Sequence, residues 1–394
     1  MGFATGSISF RRFAVVGEHP DAVDQNLLDK LAEHALRVSE IGVPEAVEYG
    51  WSGGRHLLDG KFSFENNVFA DALHFALRID TNKVPSEIKR AYAAIEEEAV
   101  AATNPSGFIS KNQKRDVKEV VRQKLDDELR SGRFRRSKLF PILWDVQNQM
   151  LYCAISTSAI EHLLELFERT FGLSLMPLSA GSLALRMLEH KSKRRDYEDL
   201  RPSRFVHGYE SEDASPEYPW VLKGPEPKDF LGNEFLLWLW HEAQTNDGAV
   251  ATGSHDASVL FERSLELECA FGQSGKATLR STVPTLMPEA KAALRTGKVP
   301  RKAGLTLGLK VGQFTLGFNP ESLAVTGLKL TEIEDAETPR ALFEGRIGLL
   351  RDFLMGLDAL YESFLKCRAS ARWEGYMEQL RIWIHAKKEA VLMA

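Results

Sequence analysis

The chain has 394 residues, 44% of them apolar and 27% charged, a composition that supports a large buried core and excludes a disordered chain. Its formal net charge of −5 excludes a uniformly basic nucleic-acid coat, so a polyanionic partner requires cations gathered on one surface and acids displaced elsewhere. Cys153, Cys269 and Cys367 stand far apart with no CxxC, the longest apolar run (Phe235 to Trp240) falls well short of a membrane span, and Phe13 to Val16 is too short for a signal-peptide core, so a cytoplasmic protein is expected.

In chain order, Ser7 to Val16 opens with alternating Ile8 and Phe10 and predicts a strand. Leu27, Leu28, Leu31 and Leu36 predict a helix over about Asp21 to Ser39. Leu73, Phe75, Leu77 and Ile79 alternate with Ala72, His74, Ala76 and Arg78, predicting a strand with one apolar face. Ser86, between Pro85 and Glu87, is the expected N-cap of a helix running to about Ala102, broken at Asn104-Pro105. A second helix is expected from about Gln113 to Arg130. Leu139 to Val146 and Met150 to Ser156 then form a hairpin, followed by a helix from Ser158 to Phe171 and a short strand over Ser174 to Leu178.

After His190 the composition changes. Tyr209 to Asp229 carries four prolines and six acids and reads as an exposed connection, followed by the apolar block Phe235 to Trp240, which reads as core or an oligomer contact. Ala303 to Leu330 alternates as a β-meander, and the last 55 or so residues are helical, with Leu349, Leu350, Phe353, Leu354, Leu357 and Leu360 in one stripe. The fold class is therefore α+β, with mixed antiparallel sheets and long helices. Four regions are expected: 1–190 with a basic helical tip at about 86–138, an acidic, Pro-rich connection and apolar block at 191–250, the meander region at 251–340, and C-terminal helices at 341–394.

The chemistry-bearing feature is the stretch from Lys111 to Lys138, with eleven Lys or Arg against five Asp or Glu. Arg115, Lys118 and Arg122 lie at i, i+3 and i+7 on one helical stripe, beside the apolar stripe of Val117, Val121 and Leu125. Such a helix buries one flank and turns a basic flank outward. The run Arg130-Ser131-Gly132-Arg133-Phe134-Arg135-Arg136-Ser137-Lys138 ends it with forked phosphate donors and an aromatic ring able to stack on a base. The expected DNA contacts are thus Arg115, Lys118, Arg122, Arg133, Phe134, Arg135, Arg136 and Lys138, with Lys298, Arg301 and Lys302 as a second tier.

Several blocks in order resemble the RdgC family of recombination-associated DNA-binding proteins. They are Glu48-Tyr49-Gly50-Trp51; the strand His74 to Ile79 followed by Val84-Pro85-Ser86-Glu87-Ile88-Lys89; the basic helix leading into Leu143-Trp144-Asp145 and the hairpin Asn148 to Ala154; Leu175-Met176-Pro177-Leu178; and Glu289 to Lys298 with the meander after it. The resemblance implies a homodimeric ring whose positive hole admits duplex DNA, largely without regard to sequence, and restrains RecA-driven strand exchange in the nucleoid. It also implies a polar-basic finger around Lys276 to Thr282. No cofactor or metal is expected. One alternative is a Mg²⁺-dependent exonuclease, for which Asp80 with Glu87-Ile88-Lys89 mimics a metal-binding pattern; another is a scaffold whose basic helix docks an acidic protein. His241-Glu242 lacks the second histidine of a helical zinc site, there is no P-loop, and Gly53-Gly54 and Ala180-Gly181-Ser182 read as turns.

Overall fold

The computed structural model describes residues 2–18, 20–37, 45–105, 107–206, 215–253, 256–272, 275–334 and 336–386. The N-terminal half contains β1 (Ile8–Val16), α1 (Gln25–Glu33), β2 (Val47–Ser52), α2 (Phe64–Asn67), β3 (Val68–Phe69) and β4 (Ala72–Asn82). It continues with α3 (Ser86–Thr103), α4 (Lys111–Arg130), β5 (Arg135–Asp145), β6 (Met150–Cys153), α5 (Ile160–Phe171) and β7 (Ser174–Pro177). Then follow α6 (Ala180–His190), α7 (Arg194–Asp199), α8 (Phe230–Thr245), β8 (Ala249–Ala251), β9 (Asp256–Cys269), β10 (Lys276–Ser281) and α9 (Pro288–Arg295). The chain closes with β11 (Lys298–Leu309), β12 (Gly312–Asn319), β13 (Ala324–Lys329), α10 (Pro339–Arg368) and α11 (Arg372–His385).

The strands join one antiparallel sheet in the order β10-β9-β11-β12-β13-β1-β6-β5-β4-β2, with β3, β7 and β8 attached to β4, β1 and β9. The α+β expectation holds. β1 is the seam: Ile8 and Phe10 pair with β13, whereas Arg11 to Ala14 pair with β6. One core lies between the N-terminal strands and α1 and α5, around Trp51, Phe75, Trp144 and Phe167. A larger core covers the opposite face and runs on along the meander under α6, α8, α10 and α11. α10, about 45 Å long by its 30 residues, crosses the seam. It ties to β1 through Arg12–Asp358 (2.6 Å) and to β5 through Arg351–Asp145 (2.8 Å).

Several expectations need correction. α1 is shorter than Asp21 to Ser39: Asp24 caps it, accepting from the Leu27 amide at 2.9 Å, and the chain leaves the helix at His34 so that the Leu36 amide can donate to the Trp51 carbonyl at 3.0 Å. Gly50 makes that approach feasible, since a Cβ there would lie 2.7 Å from the Leu36 nitrogen. Ser39 lies outside the described residues. β4 is buried on both faces, because His74 is enclosed by Phe3, Phe69 and Phe343 and Arg78 by the Leu57 carbonyl. Ser86 is the first residue of α3 and not its cap; its hydroxyl donates to Glu87.

α4 starts at Lys111, two residues earlier than expected, because Ser110 and Gln113 form a reciprocal capping box. Ala180-Gly181-Ser182 is the first turn of α6, capped by Ser179, and not a turn. The connection is only partly exposed. Residues 207–214 lie outside the described set, but Tyr218 and Val221 are buried. The block Phe235 to Trp240 is core, as one reading of it expected: α8 is buried all round from Phe230 to His241. Gly232 lets that helix cross the β12–β13 turn, where a Cβ would meet the Pro320 carbonyl oxygen at 2.2 Å.

Candidate nucleic-acid interface

α3 and α4 form an antiparallel hairpin that grows from the ends of β4 and β5 and packs chiefly on itself. α3 has no buried residue, and α4 buries only Val117 and Val121. The two helices are held by Tyr92–Glu128 and Lys124–Glu96 contacts, and by a paired amide bridge, Asn104 with Gln113, near the tip. At the root, Asn82 Nδ2 donates to the Leu129 carbonyl at 2.7 Å and fixes α4 to β4. The hairpin is thus an arm standing off the sheet, with Phe108 exposed at its end.

Across 86–130 the arm carries nine Lys or Arg and nine Asp or Glu. It is neutral in sum but sorted by face. Arg115, Lys118 and Arg122 are all exposed, in the expected stripe, and Lys111 extends it by one turn. Arg122 is tied to Glu119 at 2.6 Å, which raises its pKa, whereas Arg115 and Lys118 have no carboxylate within 4 Å among the described residues.

The run after α4 does not stay together. Gly132 takes a positive φ of 70° and turns the chain, Arg133 extends from the surface to Glu128 (3.0 Å) with its guanidinium 5.9 Å from the half-buried Phe134 ring, and β5 begins at Arg135. Residues 135–138 pair with 79–82 of β4, so successive side chains go to opposite faces. Arg135 turns inward, which corrects its expected role as a phosphate contact. Its guanidinium binds Glu48 and Asp80 (2.9 Å to Asp80), and Asp80 also receives both arms of Arg78 at 3.0 and 2.7 Å. Burial opposes ionisation of Asp80, but hydrogen bonds and charge from Arg78, Ser137 and Arg135 outweigh it and hold the carboxyl below its ordinary range. Arg136 and Lys138 point the other way and are exposed.

The second tier also disperses. Arg301 is engaged by Glu321 (2.6 and 2.7 Å) and Glu268 (2.7 Å) and lies 4.3 Å over Trp220, so it clamps the meander to the connection instead of offering a phosphate contact. Lys298 Nζ reaches Thr296 at 3.0 Å, and only Lys302, 3.8 Å from Glu266, is freely exposed. The finger region is the strand β10, paired with β9, with Lys276 against Glu268 at 3.3 Å.

The residues of the nuclease alternative have other occupations. Asp80 is committed to two arginines, and Glu87 is exposed and bonded to Ser86 and Arg90. Among the described residues no cluster of three or more His, Cys, Asp or Glu is placed to hold a metal. His241 is a buried core histidine, bonded to the Tyr376 hydroxyl at 2.7 Å. No described helix is long and apolar enough to cross a membrane.

Lys83 and Lys89 are not among the DNA contacts expected from the sequence, where Lys89 figures only in the metal-binding pattern and in the block Val84 to Lys89. Lys83 follows the last residue of β4, and its proximity to Arg136 comes from β4–β5 pairing across more than fifty residues. A scan against protein-family models and a search of curated proteins found no match for this chain.

Proposed function

We propose that the protein binds duplex DNA through its phosphates without regard to sequence, with single-stranded DNA as a second ligand that the same cations could take. In this reading it works as a nucleoid-associated homodimeric ring of the kind the RdgC resemblance implies, and restrains RecA-dependent recombination by occupying DNA.

The observation that carries the reading is the exposed stripe Lys111, Arg115, Lys118 and Arg122 on an arm that stands off the sheet. At 1.5 Å per residue the stripe extends about 16 Å, and duplex DNA presents one phosphate per strand for each ~3.4 Å of axis. A row of cations of that length meets several phosphates, whatever the bases between them. Arg133, Arg136 and Lys138 continue positive charge from the foot of α4 onto the sheet. Forked guanidinium donors and lysine point charges supply affinity and position but no base code.

The test is duplex affinity measured against salt on several unrelated sequences. The expected result is a straight log–log line with a slope of about −0.9 per phosphate contacted, the same for each duplex. A slope near zero refutes phosphate binding, and a strong sequence preference refutes the sequence-independent part. Solution mass reads the dimer directly, and strand-exchange assays with and without the protein read the effect on RecA.

A further inference from the structure

We propose that the root of the arm is a phosphate seat, in which Lys83, Lys89 and Arg136 hold consecutive phosphates of one DNA strand. This rests on the DNA-binding reading above and places the anchoring contacts at a spot that reading does not include.

A groove of about 500 Å³ opens where three elements meet: the end of β4, the first turns of α3 and the start of β5. Each supplies cationic chemistry: Lys83 just beyond β4, Lys89 on α3 and Arg136 on β5. All three are exposed, and none has a carboxylate within 4 Å among the described residues. The acid in the lining is Glu87, and its carboxylate already accepts from the Ser86 hydroxyl at 2.9 Å and from Arg90 at 3.2 Å. The wall therefore holds three uncompensated cations and one acid that has its own counter-charge. Over the whole arm, residues 86–130 with Lys89 and Glu87 included, nine cations stand against nine acids, so the local excess in the groove is not a property of the arm as a whole.

The frame of the groove is tied to the sheet at several points. Thr81 and Arg136 are direct partners across the β4–β5 ladder, and the Thr81 hydroxyl donates to the Arg136 carbonyl at 3.4 Å. Val84 is buried, and Asn82 bonds to the foot of α4. Lys83 and Arg136 sit beside or on the β4–β5 ladder, whose pairing fixes their backbone, and Lys89 sits in the first turns of α3, so little backbone freedom is lost on binding. The groove is lined by cations from three elements, which suits a phosphodiester backbone lying across it better than a flat protein surface. Pro85 stands at the head of α3 and makes no side-chain cap bond, and the Glu87 carboxylate accepts from its own backbone amide in that first turn.

The experiment compares three variants of the full chain with wild type by anisotropy of a labelled duplex over a salt series, with thermal unfolding run on each. Lys83→Gln with Lys89→Gln should flatten the salt slope by about two units and weaken binding roughly ten- to thirtyfold, with an unchanged melting temperature. Glu87→Gln should tighten binding about twofold by removing the groove's one acid. The stripe variant, Lys111→Gln with Arg115→Gln and Lys118→Gln, serves as the comparison. If it flattens the slope while the root variant keeps wild-type slope and affinity, the seat is overturned and the DNA reading stands. If Glu87→Gln weakens binding, the groove is not where phosphate lies. Wild-type protein with no salt-linked binding removes the DNA reading and the seat together.

Discussion

Neighbouring arginines Arg135 and Arg136 should have opposite phenotypes. Arg135 is 20% exposed and bonded to Asp80, itself 1% exposed, and to Glu48, at 21%. Its removal strips charge-assisted bonds from both acids, each bond worth about 1.5–3 kcal/mol at most. Arg78 still holds Asp80 through both guanidinium arms, so the buried charge is not stranded. We expect Arg135→Ala to cost about 2 kcal/mol, or about 2 to 3 °C in melting temperature for a chain of this size, and to leave the salt slope of duplex binding unchanged. Arg136→Ala touches no partner side chain; it should leave stability within about 0.5 kcal/mol and flatten the slope by about 0.9. Asp80→Asn is the control for the network: it leaves Arg78, 4% exposed, without its anion and should cost about 3–5 kcal/mol. Thermal unfolding and salt-dependent anisotropy on all three decide the matter. An Arg135→Ala protein that melts like wild type but binds with a flattened slope would show that the inward orientation is wrong.

Two further outcomes test the fold. Asp229 accepts from the Gly181 amide at 2.9 Å, yet burial, with Glu226 and Glu321 nearby, pushes its pKa up to about 6 against the hydrogen bonds from Ser179 and Gly181. The folded protein keeps that proton up to about pH 6, whereas the unfolded chain loses it near pH 4. Wild type should therefore lose stability relative to Asp229→Asn as pH rises from about 4 to 6, by on the order of 3 kcal/mol, with the full difference present above pH 6; denaturant unfolding of both proteins over that range reads it, and a pH-independent difference refutes it. Gly232→Ala drives a methyl into the Pro320 carbonyl and should cost about 3 kcal/mol, seen as a lowered denaturation midpoint at unchanged m-value; a wild-type midpoint would show that α8 and the β12–β13 turn can separate freely.

Much of the fold is written locally. β1, the β5–β6 hairpin, α5, the meander and the stripe of α10 each carry their own periodicity, and the wholly apolar α8 announces its burial. The signal for β9 was also present, in Ala257, Val259, Phe261, Leu265 and Leu267, but Arg263, at a positive φ of 67°, interrupts the apolar run. α1 stops early for a reason no local pattern holds: Leu36 has helical spacing, but its amide is claimed by Trp51. The same limit governs the site. Arg133 to Lys138 is one basic cluster along the chain because charge carries no mark of which side of a strand it will take. Pairing with β4 divides it and sends Arg135 to acids forty-eight residues into the chain and eighty residues into it. Arg301 reads as exposed beside Lys298 and Lys302, but Glu268 and Glu321 come to it from β9 and from beyond β12. The α4 stripe was legible because both its charge and its amphipathic spacing lie within one helix.

A net charge of −5 and a neutral arm together bear on how such a protein can hold a polyanion at all. The helices of the arm are about 27 to 30 Å long. At physiological salt the screening length is ~8 Å, so cations along the outer arm are shielded from the acidic body and act on DNA by themselves. At ~0.01 M salt the screening length grows to ~30 Å, and the whole molecule's negative charge then reaches the bound duplex. The log–log plot of affinity against salt should accordingly be straight around physiological salt and fall below that line at low salt. A line that stays straight to the lowest salt would mean that body charge never reaches the DNA, as it would not if binding were confined to the tip of the arm. A bend that sets in while the screening length is still well short of the ~27 to 30 Å arm places the duplex near the sheet, where the root groove lies.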